Sequence, residues 1–340
     1  MKDGPLLSVI IPVYNIEPYL ERCLSTVLAC DLADCEVLLS LGRSSDRSSD
    51  VCREYAEKNP LIRILEQDGR GLSNARNCAM DIAGGEYLLF LDGDDYVDSQ
   101  CLDALVGRLR EGTISPDVIV TDFYREDLRL GRTVPCFQIG EGVDCQGMDY
   151  LPQMLRRRQC FWNVWRYIYR RAFLEERGIR FLENRLSEDV DFTTSVFLAQ
   201  PNILFSHSPY YVYVVGRGQS LMDKPDLKRL TDTVYILERS IARLRESDFP
   251  YAPQMIAQFQ FEYILNLALC VEIDLRDRAD ALALYQNWRQ TLAGSCDPAV
   301  RWAGRGIRLI GLKASGYGLH ALKLLRRRVR KYGKKEGEPA

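Results

Sequence analysis

Five short apolar runs separated by helical patterns restrict the first half of this 340-residue chain to one fold class. The runs are 6–13 (LLSVIIPV), 36–41 (EVLLSL), 61–65 (LIRIL), 86–91 (EYLLFL) and 117–123 (DVIVTDF). Their near-continuous apolarity is that of strands buried on both faces rather than on one. Between them 17–30, 46–58, 73–83 and 98–111 carry helical periodicity. In the last, Leu102, Leu105, Val106 and Leu109 fall on one face, and Gly84-Gly85 closes the helix before it. Strands alternating with helices predict a mostly parallel α/β sheet covered on both sides, with ligands bound beyond the carboxyl ends of the strands.

At one such end the chain reads Asp92-Gly93-Asp94-Asp95. Three carboxylates within four residues repel one another unless a cation neutralises them. Oxygen-only donors suit a hard divalent ion, Mg²⁺ or Mn²⁺, which keeps few protein ligands and shares its other positions with substrate phosphates. After 123 the pattern loosens over 124–150, returns to aromatic-rich helix over 150–181, and is wholly helical from Asp226 onward (226–246, 251–273, 277–293). A domain boundary is expected near 221–225, giving units 1–222 and 223–340.

The sequence resembles the family 2 glycosyltransferases of the bacterial polysaccharide-biosynthesis type, which have the GT-A fold. The matching segments run in order: 8–15 (SVIIPVYN), 19–28 (YLERCLSTVL), 71–95 (GLSNARNCAMDIAGGEYLLFLDGDD), 164–181 (VWRYIYRRAFLEERGIRF), 186–192 (LSEDVDF) and 210–220 (YYVYVVGRGQS). The resemblance implies a GT-A domain with a C-terminal helical extension. It implies inverting, hexosyltransferase-type transfer from a nucleotide-sugar, by default a UDP-sugar, to a saccharide or lipid-linked acceptor. It makes Asp92 and Asp94 metal and diphosphate residues, with Asp95 counted among the metal ligands, and sets Tyr14 against the nucleotide base. Arg76, on the helix that Ser73 is expected to cap, points either at phosphate or into a surface salt bridge. In 186–192 the family's general base corresponds to Asp189, and Glu188 beside it raises its proton affinity. Charge complementing a helix start is the plainer reading for Glu188 and Asp191.

One departure stands out. The family usually has two acidic residues after the second strand, where this chain has Leu41 and Gly42. Base recognition then passes to a backbone carbonyl or to Asp46, or the donor differs, or donor binding is weakened. That motivates an alternative, a catalytically impaired, membrane-docked partner of a glycosyltransferase complex. A sugar nucleotidyltransferase is less consistent, because no Gly-rich basic loop follows the first strand.

From Pro298 to Lys335 there are twelve Lys or Arg and no acidic residue. Because the chain totals 45 basic and 47 acidic residues, the remainder holds 33 basic against all 47 acidic. Residues 316–335 place Leu322, Leu325 and Val329 on a stripe among basic side chains, a pattern suited to an anionic membrane surface or to a solvated terminus. No nucleic-acid motif accompanies it. The eleven cysteines contain no CxxC pair, which predicts reduced thiols. Neither a secretory signal nor a spanning segment is evident, so a cytoplasmic protein, peripheral on the inner membrane face through its tail, is expected. His207 and His320 lack ligand spacing and are expected to be structural.

Overall fold

The computed structural model describes residues 4–67, 69–137, 139, 144–157, 162–217 and 226–332, with side chains to residue 325. The chain forms two compact units, Met1–Ser220 and Leu221–Ala340. The expected boundary at 222 lies outside the described residues.

The first unit is built on one mixed sheet. Its strands are β1 (Leu7–Val13), β2 (Cys35–Leu41), β3 (Ile62–Glu66), β4 (Tyr87–Phe90), β5 (Tyr96–Val97), β6 (Val118–Asp127), β7 (Arg132–Cys136), β8 (Asp144–Gln146), β9 (Tyr167–Arg170) and β10 (Ile203–Val215). Its helices are α1 (Glu17–Leu28), α2 (Ser48–Lys58), α3 (Leu72–Ile82), α4 (Ser99–Arg110), α5 (Leu151–Arg156), α6 (Arg171–Glu176) and α7 (Glu188–Leu198). The strand order is β3-β2-β1-β4-β9-β6-β10-β5, with β7 on β6 and β8 on β10.

The first four strands are parallel: β1 and β2 pair from Leu7↔Cys35 to Val13↔Leu41, β1 and β4 from Leu7↔Tyr87 to Ile10↔Phe90, and β2 and β3 from Val37↔Ile62 to Leu41↔Glu66, with the edge strand β3 only partly buried. Beyond β4 the sheet departs from the parallel expectation. β9 enters antiparallel to both β4 and β6, while β6 and β10 run parallel to each other. The segment 150–181 was expected to be helical throughout. Its centre instead forms β9, where Tyr167 and Tyr169 on one face and Ile168 on the other are fully buried, so burial on both faces overrides the helical reading. Chain order reverses between β1 and β4, and the carboxyl ends of these two strands frame the crevice where α/β sheets bind ligands.

Local chemistry fixes the helix starts. The Asp98 carboxylate accepts the Cys101 amide at 3.0 Å and caps α4. Ser73 does not cap α3, which begins after Gly71; its hydroxyl donates to the Leu182 carbonyl at 3.0 Å. The core packs Leu20, Cys23, Leu24 and Val27 of α1 and Leu102, Leu105, Val106 and Leu109 of α4 with Val9, Ile11, Val37, Leu39 and Leu89 of the sheet. The described cysteines are all free thiols.

The second unit is helical: α8 (Leu227–Arg245), α9 (Ala252–Leu267), α10 (Arg278–Ala283), α11 (Trp288–Thr291) and α12 (Pro298–Tyr332). The expected helix over 277–293 is two short ones. Asp226 caps α8, accepting the Arg229 amide at 2.7 Å. α12 is interrupted at Gly311, whose φ of 81° lies outside the helical region. Among the described residues no helix is long and apolar enough to cross a membrane.

Candidate active site

β4 delivers the acidic motif to the crevice. The Leu91 amide still bonds to the Ile10 carbonyl of β1, and then the chain turns, with the Asp95 amide closing on the Asp92 carbonyl at 2.9 Å. Gly93 fits closely inside that turn: a Cβ there would stand 2.4 Å from Ile16 Cδ1 and 3.3 Å from the Pro12 carbonyl, so a larger residue would have to push the Ile16 side chain aside and crowd the end of β1.

The three aspartates of the turn have different partners. Asp92 Oδ1 accepts from Arg76 Nη2 at 2.7 Å, and its side chain is 27% exposed. Asp94 Oδ2 lies 2.7 Å from Arg217 Nη1, with 30% of its side chain exposed. Asp95 is buried: Tyr211 donates to its Oδ2 at 2.6 Å, the Val214 amide to its Oδ1 at 2.8 Å, and Arg217 Nη1 lies 3.2 Å away. Burial, then the Asp94 and Asp92 charges, raise the proton affinity of Asp95 well above the carboxylate norm, against the Tyr211 and Val214 bonds. Asp94 is raised too, by burial and by Asp92, with Arg217 opposing.

Arg76 joins this turn to the second carboxylate centre. Only 2% of its side chain is exposed, and it binds Glu188 Oε1 through Nη1 at 2.9 Å while Nη2 holds Asp92. Its Cζ sits 5.1 Å from the centre of the Phe181 ring. The guanidinium therefore lies inside the cleft as a bridge between α3, the end of β4 and the start of α7. Ser187, just before α7, adopts a left-handed conformation with φ 65°, which brings Glu188 and Asp189 in at the first turn. Asp189 accepts its neighbour's amide, Val190 N, at 2.9 Å. Burial first, and then the Glu188 charge, push the Asp189 pKa up to about 7, with Arg76 holding it back. A carboxyl with that value exchanges protons at neutral pH, the property a general base needs.

The β1–α1 and β2–α2 loops form a second group at the same sheet edge. The Tyr14 ring is 62% exposed, and a Cβ on Gly42 would lie 3.2 Å from its Cδ2. Asn15 accepts the Ser45 amide at 2.7 Å, and its own amide donates to Ser44 Oγ at 3.1 Å. Asp46 holds the loops together, accepting the Glu17 and Ser48 amides at 3.0 Å each. Although partial burial opposes it, these hydrogen bonds keep the Asp46 carboxyl below its ordinary pKa. Leu41 is 1% exposed and belongs to the core.

Sequence reasoning missed Arg217 and Tyr211, although both lie in the 210–220 segment that carried the family resemblance. The arginine is visible in that segment, but its partner more than a hundred residues earlier is not. Of the two histidines, His207 pairs with buried Asp122 at 2.9 Å and His320 with Glu272 at 3.2 Å.

Among the described residues no three His, Cys, Asp or Glu side chains are gathered into a metal cage. The donor chemistry nonetheless fits a cation shared with phosphate. Asp92 and Asp94 are partly exposed on the turn, and among the described ion pairs Asp92, Asp94, Asp95 and Glu188 are held by Arg76 and Arg217, with Asp189 beside Glu188. Two carboxylates with open positions are what Mg²⁺ or Mn²⁺ takes when a diphosphate supplies the rest.

Residues 8–174 match the family model described as glycosyl transferase family 2. The uncharacterized glycosyltransferase EpsJ of Bacillus subtilis (strain 168) is 32% identical over 211 residues, covering 62% of this chain and 61% of EpsJ. The crystal structure of S. aureus TarS 1–349 in complex with UDP-GlcNAc superposes with a TM-score of 0.72 at 19% identity, covering 96% of this chain and 92% of that one. The mannosyltransferase PcManGT from Pyrobaculum calidifontis, in complex with GDP-Man and Mn²⁺, gives a TM-score of 0.55 at 19% identity over 95% of this chain and 88% of that one. The two structures share the fold of this chain.

Proposed function

Because this chain belongs to glycosyl transferase family 2 and has its GT-A fold, we propose that it moves a sugar, with inversion, from a nucleotide-sugar to a hydroxyl of a saccharide or lipid-linked acceptor in cell-surface polysaccharide synthesis. The observation that carries this reading is Arg76. One buried guanidinium ties Asp92 of the donor turn to Glu188, the neighbour of Asp189, so donor and acceptor chemistry meet at one point.

In this reading the acceptor oxygen attacks the anomeric carbon, the bond from that carbon to the diphosphate breaks, and the acceptor proton passes to an Asp189 oxygen. Asp189 suits that task because its pKa of about 7 leaves a substantial ionised fraction at neutral pH. Asp92 and Asp94 would hold Mn²⁺ or Mg²⁺, which offsets charge on the departing diphosphate. Asp95, fully engaged by Tyr211 and Val214, shapes the turn that presents them. Tyr14 is open to stack on the base, and Asp46 keeps the loop beneath it in place. UDP is the expected carrier, supported by TarS, whose structures hold UDP-GlcNAc or UDP.

The second unit suggests where the acceptor is met. α12 exposes Trp302, Leu309, Ile310, Leu322 and Leu325 among Arg301, Arg305, Arg308, Lys313 and Lys323. These residues extend the 316–335 stripe toward the start of α12, and such a surface would suit an anionic inner membrane face carrying a lipid-linked saccharide.

The test is release of nucleoside diphosphate from a panel of nucleotide-sugars with Mn²⁺ or Mg²⁺ and lipid-linked or free saccharide acceptors. Turnover with one donor, lost in Asp94→Asn, is expected. Binding of donor without turnover on any acceptor would favour the impaired-partner reading that Leu41 motivates.

A further inference from the structure

Arg217 directs one atom at three oxygens. Its Nη1 lies 2.7 Å from Asp94 Oδ2, 2.7 Å from the Asp94 backbone carbonyl and 3.2 Å from Asp95 Oδ1. The side chain is 10% exposed, and its Cζ lies 5.7 Å from the Tyr19 ring. Oxygens of consecutive residues converging on one positive centre is the arrangement a small hard cation adopts on a turn. We infer that Arg217 stands in the cation position of the unliganded site and that a divalent ion must displace it, so that ion binding depends on nucleotide.

The partners of the neighbouring groups support an exchange at Asp94 specifically. Asp95 keeps Tyr211 and the Val214 amide when Arg217 leaves, so it is not orphaned. Arg76 is anchored on two carboxylates from separate elements and is almost wholly buried, which makes it a fixed strut. Asp94 has no other side-chain partner among the described hydrogen bonds and keeps 30% of its side chain open to solvent.

An ion arriving alone breaks the Arg217–Asp94 pair and leaves the guanidinium with only its longer, 3.2 Å contact to Asp95, which is already engaged by Tyr211 and the Val214 amide. An ion arriving with a nucleoside diphosphate brings new anionic oxygens for that guanidinium, and charge-assisted bonds to phosphate offset the loss. Ion and nucleotide then favour each other's binding, and thermodynamic linkage makes the effect reciprocal.

This inference rests on the proposed role of Asp94 as metal ligand, and one experiment separates the two. Mn²⁺ binding is measured by electron paramagnetic resonance on the full chain, with and without saturating UDP, for the wild type, Arg217→Ala and Arg217→Gln. Without UDP both variants should bind Mn²⁺ roughly ten- to a hundredfold tighter than wild type, the worth of the charge-assisted contacts no longer broken. The strengthening caused by UDP should shrink in both. Circular dichroism checks folding, and the glutamine variant, which retains bulk and polarity, serves if the alanine variant misfolds. Unchanged Mn²⁺ affinity without UDP, while UDP still strengthens binding, overturns the inference and leaves Asp94 as a ligand. A wild type that binds no Mn²⁺ even with UDP overturns both.

Discussion

Replacing Arg76 by Met tests the electrostatic centre of the site most directly. Met keeps an apolar stem near Phe181 while removing both ionic bonds, so packing changes little and charge changes by one. The two bonds are not equal. Asp92 has 27% of its side chain exposed and can be rehydrated, so losing that pair costs at most about 1 kcal/mol. Glu188 has 10% exposed, and leaving a buried charge without its partner costs about 3–5 kcal/mol. A destabilisation of about 3–6 kcal/mol at pH 8 follows. Glu188 and Asp189 already hold protons more tightly in the folded state than usual, through burial, and Arg76 restrains both. A carboxyl whose folded pKa is raised contributes stability at low pH that is lost as pH rises through that pKa. Without Arg76 the folded values rise further, so the variant should lose less stability at pH 6 than at pH 8. Under the proposed mechanism the midpoint of the pH–rate profile should also move from about 7 upward, by on the order of one unit. Urea unfolding at both pH values and the pH dependence of diphosphate release provide the readouts. Equal destabilisation at pH 6 and 8 with an unmoved midpoint would mean that Arg76 acts through packing, and the bridge would carry no chemistry.

Asp189→Asn should keep donor affinity near wild type and lower turnover roughly 10²–10⁴-fold; parallel loss of both in calorimetry and kinetics would recast Asp189 as a donor ligand. The same substitution should raise stability at pH 8, because the wild type loses stability as pH rises from the ordinary aspartate value toward about 7. Leu41→Asp should cost on the order of 3–5 kcal/mol and fail to strengthen UDP binding, since Leu41 is 1% exposed and a carboxylate there loses its water; a gain in UDP affinity with little loss of stability would refute this. Trp302→Ser with Leu309→Ser should reduce co-sedimentation with anionic vesicles, and salt should weaken wild-type binding; indifference to both would move the contact off α12.

The parts legible in the sequence were those whose cause is local. β1 to β4 and α1 to α4 announce themselves because buried parallel strands need unbroken apolar runs and the covering helices need one apolar face. β9 was hidden because four residues, Tyr167–Arg170, carry too little periodicity to outweigh a flanking helical pattern. β10 carries the 210–220 motif, and its pairing with β6 shifts register between Ser206 and Tyr211, an irregularity that no local rule announces. At the site, the acidic residues stood out as a cluster, but which cation each would hold depends on contacts between β4, α3, α7 and the end of β10. Ser73 illustrates the same limit: its residue type suits a cap, and tertiary structure gave its hydroxyl to Leu182 instead.

Leu41 and Gly42, which stand where the family usually has two acidic residues, each have a physical reason in the structure. Leu41 ends β2 paired with Val13 on one side and Glu66 on the other, and its side chain completes the core below the loops. Gly42 leaves the space against which the Tyr14 ring lies. Removing two carboxylates also alters the charge seen by an arriving anion. The site already has Asp92, Asp94, Asp95, Glu188 and Asp189 against two guanidinium groups, both in use. Two further carboxylates beside Tyr14 would add to that repulsion, while a leucine and a glycine do not. On the proposed reading, the base end beside Tyr14 is open and carries fewer acidic groups, and the diphosphate end is the acidic one, where a divalent ion would offset the charge of Asp92 and Asp94. Under the proposed function, affinity for the base comes from stacking and backbone groups, and control of donor binding lies with the metal and with Arg217.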